Sequence, residues 1–378
     1  MTGFKIGAAA LALMIGVLGA APANAWKRGN VDVLAVLPDV TPGVKSSVEG
    51  LTVGLDGNIY VPTFGFNTKG ALTGNAVLFV ISPNGNILRK VTIANSSPHM
   101  LGLRFNPVTG ALWVLDFGAG NVLNVDPSTG SSSILASPGA TTGLNALTFD
   151  ASGNGYVSDS FSGAIYKVPP HGGSFSTWKM DPLLGPGTGL TPPFGANGVE
   201  FSNDGKTLFV ANTAFHQIIQ IPVNSDGTAG TPSIYVSGIN APDGIAIDKN
   251  NNMWICANQE DEIVVTQPFT APIPKMPSEN SAKVIAKLGD FDGIDPKGIV
   301  SGLLFPASLA FSPDGQWLYV TNLTLYLPYA DPNPGHVAID SAWTLQVKGY
   351  TVSKLPAQIP SSENNQGNQN NQGNQSNQ

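Results

Sequence analysis

The sequence predicts an all-β fold, specifically a six-bladed β-propeller, on three observations. The chain has 44 Gly and 30 Pro in 378 residues, no long amphipathic helical pattern after its N-terminus, and a six-fold internal repeat. A high content of Gly and Pro favours short strands joined by tight turns. Repeats of this length with about four strands each are typical of propeller blades.

The repeat is a pentad whose second residue is small and whose third and fifth residues are apolar. The six copies, 44–64 residues apart, are EGLTV (49–53), LGLRF (101–105), NALTF (145–149), NGVEF (197–201), DGIAI (243–247) and ASLAF (307–311). Each copy leads into a turn and a second strand that carries one aromatic residue. These aromatics are Tyr60, Trp113, Tyr156, Phe209, Trp254 and Tyr319. We interpret them as packing between blades rather than as a ligand cage.

Third and fourth strands are predicted in most repeats, for example over 76–82 and 86–93 in the first. The sixth repeat has a candidate third strand at 343–352 but no fourth strand after it. The segment VDVLAVL (31–37) is predicted to supply that strand. Pairing the two ends of the chain in one blade would close the ring and remove the open sheet edges.

The chain divides into three predicted regions: residues 1–25, 26–356 and 357–378. The first combines Lys5, an apolar run and Ala-Asn-Ala at its end, which is typical of a secretory signal peptide. A membrane anchor is the alternative, but the apolar run is short for a membrane span. The second region is the propeller, and the third is expected to be a disordered Asn/Gln-rich tail. We therefore expect a periplasmic or secreted protein with no membrane association after signal cleavage.

Charge and cysteine content exclude several classes of partner and site. The formal net charge is −7, and it becomes −8 without residues 1–25, whose only charged side chain is Lys5. This mild acidity disfavours nucleic acid as a partner. Cys256 is the only cysteine, which excludes an internal disulfide and cysteine-based metal sites. A monomer that acts on a small molecule is expected.

The first residues of the pentads form a column at the mouth of the central channel, because the first strand of each blade lines that channel. The column is Glu49, Leu101, Asn145, Asn197, Asp243 and Ala307. Four of the six are oxygen donors, and two bare carboxylates confined together would repel each other. A divalent cation resolves this conflict, and an all-oxygen set favours Ca²⁺ ahead of Mg²⁺ or Mn²⁺. Ordinary turn residues are the alternative, although Asp and Asn at turns would not account for Glu49 or for the shared column.

A second polar column follows three residues after the aromatics. It contains Asp116, Asp159, Asn212 and Asn322, which we expect to support the cation ligands or to contact substrate. Strand-end caps exposed to water are the equally weighted alternative. The longest connections lie by strand parity on the same side as the ligand column, and several are apolar enough to wall a pocket. They are 64–75, 180–196, 289–306 and 322–341.

With these residues in place, the chain resembles the gluconolactonase/senescence-marker-protein (regucalcin-like) superfamily, which is related to paraoxonases and diisopropylfluorophosphatase. The segments NGVEFSNDGKTLFVANT and PDGIAIDKNNNMWICAN carry the clearest similarity. The resemblance implies that the metal ligands are Glu49, Asn145, Asn197 and Asp243. It also implies lactone or phosphotriester hydrolysis, in which Asp243 acts as base or nucleophile. His99 is the candidate for the channel histidine of paraoxonases.

Three functions follow as hypotheses. The leading one is an exported, calcium-dependent hydrolase of lactones or related esters. The second is a non-catalytic propeller whose ion is structural or holds a ligand or protein partner, because Ala146 stands where many family members have Asp. The third is a scaffold for protein contacts, which has only the fold in its favour.

Overall fold

The computed structural model describes residues 28–188, 192–269, 282–329 and 341–360. The predicted signal peptide (1–25) and residues 361–378 of the predicted tail (357–378) lie outside the described residues, so those predictions stay as predictions. The described residues fall within one compact unit, residues 27–360. No helix in these ranges is long and apolar enough to cross a membrane.

The fold is almost entirely β. In chain order the strands are β1 (Asp32–Val36), β2 (Thr52–Val53), β3 (Ile59–Pro62), β4 (Phe66–Asn67), β5 (Gly70–Ala71), β6 (Val77–Ile81), β7 (Ile87–Thr92), β8 (Met100–Phe105), β9 (Leu112–Asp116), β10 (Asn121–Val125), β11 (Ser132–Ala136), β12 (Leu144–Phe149), β13 (Gly155–Asp159), β14 (Ala164–Val168), β15 (Ser176–Met180), β16 (Ala196–Phe201), β17 (Thr207–Asn212), β18 (Gln217–Pro222), β19 (Ser233–Ser237), β20 (Pro242–Ile247), β21 (Met253–Ala257), β22 (Glu262–Thr266), β23 (Val284–Leu288), β24 (Phe291–Ile294), β25 (Val300–Gly302), β26 (Pro306–Phe311), β27 (Trp317–Asn322) and β28 (Thr351–Pro356). Within the described ranges the helices are two 3-10 turns, Pro182–Leu184 and Leu327–Tyr329, and the single turn α1 (Ser341–Thr344).

Six four-stranded antiparallel sheets form the six blades, which confirms the predicted β-propeller. From inner to outer strand they are β2-β3-β6-β7, β8-β9-β10-β11, β12-β13-β14-β15, β16-β17-β18-β19, β20-β21-β22-β23 and β26-β27-β28-β1. The inner strands of successive blades contact one another around the ring, and β26 returns to β2. Two small hairpins, β4-β5 and β24-β25, lie in the long connections of blade one and before blade six.

The N-terminal strand closes the last blade, as the sequence predicted. Strand β1 pairs antiparallel with β28, with Asp32 opposite Lys354 and Val36 opposite Thr351. Arg28, just before β1, donates a hydrogen bond of 2.6 Å to Glu262 of blade five. The outer edge of blade six is therefore built from the opposite end of the chain.

The predicted third strand of blade six was wrong in its position. Ser341–Thr344 is a helical turn, and the strand begins only at Thr351. Between them, the backbone N–H groups of Lys348 and Gly349 both donate to the carbonyl of Gly298, which diverts the chain onto the loop before β25. The alternating apolar residues of 343–347 are typical of a strand, but the contact with Gly298 overrides this local preference for β structure.

The core lies between the blades, and the second-strand aromatics pack there as predicted. Four of them meet a Phe of the next blade's inner strand edge-to-face, at ring-centroid distances of 4.9–5.5 Å. These pairs are Tyr60–Phe105, Trp113–Phe149, Tyr156–Phe201 and Trp254–Phe311. Phe209 packs in one cluster with Ile245 of blade five, and Tyr319 packs in one with Leu51 at blade one. Each edge-to-face pair adds roughly 0.5–1.5 kcal/mol beyond its buried area, so the aromatics hold neighbouring blades in register.

The small second residue of each pentad reflects close approach of neighbouring inner strands. A Cβ at Gly198 would lie 2.2 Å from the carbonyl oxygen of Asp243 in the next blade, and one at Gly50 would lie 2.2 Å from that of Leu101. Gly102 and Gly244 face the same obstacle at 2.6 Å. These contacts set how near the first residues of adjacent pentads come to one another.

Candidate metal and substrate site

One cavity at the mouth of the central channel collects the four oxygen-bearing residues of the first column. Asn145, Asn197 and Asp243 stand at the starts of β12, β16 and β20, and Glu49 lies just before β2. All four side chains are buried and line this cavity together with Leu101. The structure therefore brings together the residues that the sequence predicted as metal ligands.

Three buried oxygens of this set have no hydrogen-bond partner. They are Oδ1 of Asn145, Oδ1 of Asn197 and Oδ1 of Asp243. A buried oxygen without a partner costs roughly 1–3 kcal/mol, and buried polar atoms are otherwise almost always paired. Three such atoms from three different blades, in one cavity, are the arrangement that a bound cation would satisfy.

Burial shifts the pKa values of both carboxyl groups upward, toward their protonated forms. Burial raises the pKa of Asp243 to about 8, although a hydrogen bond from Asn258 opposes the rise. Burial, and then the negative charge of Asp243, raise the pKa of Glu49 well above its usual value. Neutral pH would thus leave this pair short of its full negative charge unless a positive charge is present.

The donor set fits a hard divalent cation. Within the described ranges, no three His, Cys, Asp or Glu side chains gather as a metal site, so the candidate site depends on two carboxylates and two amides. Ca²⁺ takes six to eight oxygen ligands, including carboxylate and Asn carbonyl oxygens. Four protein groups would leave positions for water and for a substrate oxygen.

The cavity walls above these oxygens are largely apolar. They include Phe64, Phe117, Pro192, Phe194, Phe305, Leu323, Leu325 and Leu327. Apart from Phe117, these residues come from the four long connections, so each connection contributes to the wall as predicted. Residues 189–191 and 330–340 of these connections lie outside the described residues.

The second polar column does not reach the cavity. Asp116, Asp159, Asn212 and Asn322 are buried, and none of them is among the cavity-lining residues. They are not the water-exposed caps of the alternative interpretation either. Side chains alternate along a strand, so these four face the loops and their successors face the channel.

Each of the four instead pairs with backbone groups of the surrounding loops. Asp116 accepts from the backbone N–H of Ser97 at 2.9 Å, and Asp159 accepts from that of Gly143 at 2.8 Å. Asn212 donates to the carbonyl oxygens of Leu183 and Gly185 at 2.9 and 3.0 Å. Asn322 accepts from the N–H of Leu304 at 3.0 Å. The contacts of Asn212 and Asn322 thus support the connections 180–196 and 289–306, which wall the cavity.

The residues one position later are the ones that sequence reasoning missed. This shifted column is Phe64, Phe117, Ser160, Thr213, Asn258 and Leu323, and all six line the cavity. Counting one more residue along the alternating pattern of each second strand would have found them.

His99 also lies outside the cavity wall. Its ring packs against Phe66 at a centroid distance of 4.7 Å, and its Nδ1 lies 2.8 Å from the carbonyl oxygen of Phe64. Since a carbonyl can only accept, Nδ1 carries the proton in this contact. The structure therefore places His99 behind Phe64, and its position does not support the expected role as catalytic base.

Part of the chain matches a known protein family. Residues 190–285 match the family model described as SMP-30/Gluconolactonase/LRE-like region. This match spans Asn197 and Asp243 together with both segments that carried the sequence resemblance. Over these residues the chain is similar to the SMP-30/gluconolactonase-like superfamily.

The sequence of this chain is also similar to that of a lactonase drp35 from Staphylococcus epidermidis. It is 25% identical over 250 residues, which cover 52% of this chain and 75% of the relative. A lactonase drp35 from Staphylococcus haemolyticus is 27% identical over 150 residues, covering 38% of this chain and 44% of the relative.

Solved structures of this superfamily share the fold. The calcium-binding protein regucalcin from Agrobacterium tumefaciens superposes with a TM-score of 0.55 at 16% identity, covering 86% of this chain and 93% of its own. A gluconolactonase from Xanthomonas campestris superposes with a TM-score of 0.52 at 14% identity, covering 90% of this chain and 99% of its own. At these identities the likeness concerns the fold alone.

Proposed function

We propose that this protein is a member of the SMP-30/gluconolactonase-like superfamily and a divalent-cation-dependent hydrolase of lactones or related esters, with Ca²⁺ as the expected cation. The observation that carries the proposal is the set of three unpaired buried oxygens beside the carboxyl group of Glu49. The names of its lactonase and gluconolactonase relatives support the reaction class.

Glu49, Asn145, Asn197 and Asp243 would hold the cation through their side-chain oxygens. When bound, such a cation supplies Lewis-acid polarisation of the substrate carbonyl group. The apolar wall excludes bulk water from the same space, which strengthens electrostatic interactions inside it.

Asp243 is the residue best placed to handle the proton. One of its oxygens, Oδ2, accepts a hydrogen bond of 2.9 Å from Asn258, while Oδ1 has no partner. With Oδ1 facing the cation, we assign the second lone pair of Oδ2 to accept a proton from the water that attacks the carbonyl carbon. As the new carbon–oxygen bond forms, the ring ester bond breaks, and the same proton passes to the departing ring oxygen to give a hydroxy acid.

The wall composition favours lactones with hydrocarbon substituents over polyhydroxylated ones. A sugar lactone needs several hydrogen-bond partners, and a buried hydroxyl without one is costly. Beyond the four proposed ligands, the polar side chains on the cavity are Ser160, Thr213 and Asn258. Thr213 and Asn258 are already engaged with Asn197 and Asp243.

The test is a hydrolysis screen of alkyl-substituted lactones, glucono-lactone and phosphotriesters, before and after chelation, with elemental analysis of the purified protein. We expect lactone turnover that disappears with the chelator and returns with Ca²⁺. Full turnover in metal-free protein would contradict the cation dependence, and metal binding without turnover of any substrate would contradict the hydrolase.

A second candidate function is a metal-containing propeller that binds a ligand without turning it over. Two observations favour it: Ala146 follows Asn145 at a position where the resemblance leads one to expect Asp, and the described cavity residues include no His. The outcome of metal binding without turnover would support this candidate.

We also propose that the protein is exported through the signal peptide of residues 1–25. Cell fractionation with N-terminal sequencing tests this. A mature N-terminus at Trp26 in the periplasm or medium is the expected result, and an intact Met1 in the cytoplasm would contradict it.

A further inference from the structure

A hydrogen bond to one carboxylate oxygen of Asp243 determines which of its two oxygens remains unpaired. Oδ2 accepts from Nδ2 of Asn258 at 2.9 Å, and both side chains are almost completely buried, with 4% and 2% exposure. A carboxylate held at one oxygen by a buried donor cannot rotate freely. Its Oδ1 therefore remains the oxygen without a protein partner.

The amide of Asn258 is itself fixed in orientation. Its Oδ1 accepts a hydrogen bond of 2.9 Å from Nε2 of Gln259, and its Nδ2 also lies 3.4 Å from the carbonyl oxygen of Pro306 in blade six. Exchanging the oxygen and nitrogen of Asn258 would set two oxygens against each other at Asp243 and two nitrogens at Gln259. Neighbouring contacts thus dictate that Asn258 presents a donor to Asp243.

Thr213 imposes the same constraint on Asn197 by a different route. The Thr213 hydroxyl donates its only hydrogen to the carbonyl oxygen of Pro242 at 2.8 Å. Toward Asn197 it can therefore only accept, and it does so from Nδ2 at 3.0 Å. The amide of Asn197 must then turn its Oδ1 to the other side, where it is buried without a partner.

We propose that Thr213 and Asn258 are positioning residues, which act through Asn197 and Asp243 to set one unpaired oxygen of each toward a divalent cation. This inference rests on the proposed function, because it concerns the same cation. It adds a residue pair, each directly after the second strand of blade four or five, that selects which atoms of Asn197 and Asp243 serve as ligands. Outer contacts of this kind typically change metal affinity by 10–100-fold.

The two roles of Thr213 can be separated by substitution. Thr213→Val keeps the shape but removes the acceptor for Asn197, whereas Thr213→Ser keeps the hydroxyl. We expect the Ca²⁺ dissociation constant, measured by calorimetry on chelator-treated full-length protein, to rise about 10–100-fold in Thr213→Val. It should stay within about threefold of the wild-type value in Thr213→Ser. Asn258→Leu should weaken binding in the same way and provides an independent test if Thr213→Val fails to fold.

The outcomes distinguish this inference from the proposed function. Wild-type affinity in both Thr213→Val and Asn258→Leu would overturn the positioning role while leaving the cation site intact. Equal losses in Thr213→Val and Thr213→Ser would also overturn it, because the effect would then come from packing rather than from the hydroxyl. Absence of Ca²⁺ binding in the wild-type protein would overturn both proposals.

Discussion

Glu49 and Asp243 bring two buried carboxyl groups from blades one and five to a single cavity, and the charge of Asp243 adds to the burial that raises the pKa of Glu49. Elsewhere in the described chain, buried acids have partners of another kind: Glu262 pairs with Arg28 and Lys287, and Asp116 and Asp159 accept hydrogen bonds from backbone N–H groups. Among the described residues lining this cavity there is no Lys or Arg to balance the two acids. The chain thus places like charges together where only a bound positive charge would stabilise them.

The metal-free protein should lose stability as the pH rises from about 4 to about 8. In the unfolded chain Asp243 ionises near its ordinary pKa of 3.8, whereas the folded protein holds the proton up to a pKa of about 8. The unfolded state therefore binds fewer protons across this interval, and the free energy of unfolding falls with pH. Urea unfolding of chelator-treated protein at several pH values measures this slope. Asp243→Asn should flatten it, and an unchanged slope in that variant would contradict the assignment.

Gly198→Ala should destabilise the protein because the inner strands of blades four and five leave no room for a methyl group. The new Cβ would lie 2.2 Å from the carbonyl oxygen of Asp243. Overpacking of this kind costs about 1–3 kcal/mol in the free energy of unfolding. Ala146→Gly, at the same position of blade three, is the matched control and should cost about 0.5–1 kcal/mol. If denaturant titrations give equal losses of unfolding free energy for the two variants, crowding between the strands is not the reason for the small residue at this position.

Closure of blade six by β1 predicts opposite results at two adjacent residues. Ala35 is 5% exposed and packs in the core between blades, whereas Val36 is 41% exposed. Ala35→Asp would bury an unpaired carboxylate and should cost about 3–5 kcal/mol. Val36→Asp should stay within about 0.5 kcal/mol. Similar melting temperatures for the two variants would contradict the register of β1.

Phe117→Ser should weaken substrate binding without changing Ca²⁺ affinity. Phe117 lines the cavity and packs edge-to-face on Phe64 with ring centroids 5.9 Å apart, but it offers no oxygen to a cation. We expect KM for an alkyl-substituted lactone to rise roughly tenfold, equivalent to about 1.4 kcal/mol. Phe161→Ser is the control, since Phe161 contacts Phe117 but does not line the cavity. If both variants raise KM equally, general packing rather than the wall explains the effect.

Much of this fold could be predicted because the repeat is carried by local patterns. The small second residue and the aromatic residue of each repeat reflect contacts between neighbouring blades. Aligning the six copies therefore predicted the strands, the column of residues along the channel and the core between the blades. The same alignment predicted Glu49 and Asp243 in one cavity, although they are far apart in the sequence. Closure by β1 also followed, since the sixth repeat lacked a fourth strand and the segment 31–37 belonged to no other blade.

The errors came from contacts that a local pattern does not contain. The strand predicted at 343–352 is displaced because Lys348 and Gly349 bond to Gly298 in a distant loop. Asp116 and its equivalents were predicted to face the channel, but the next residue of each segment faces it instead. The direction of a side chain at a strand end depends on the bulge and turn there. His99 contacts Phe64 and Phe66 of blade one. The residues near His99 in the sequence do not predict these contacts.

Calorimetric titration of Ca²⁺ into chelator-treated wild-type protein and Asp243→Asn tests the central claim most directly. The four first-column oxygens predict one binding site per chain, with binding lost or weakened at least about 100-fold in Asp243→Asn. Lactone hydrolysis measured on the same samples should fall in parallel with site occupancy. No binding to the wild-type protein, or equal binding by both proteins, would contradict the account.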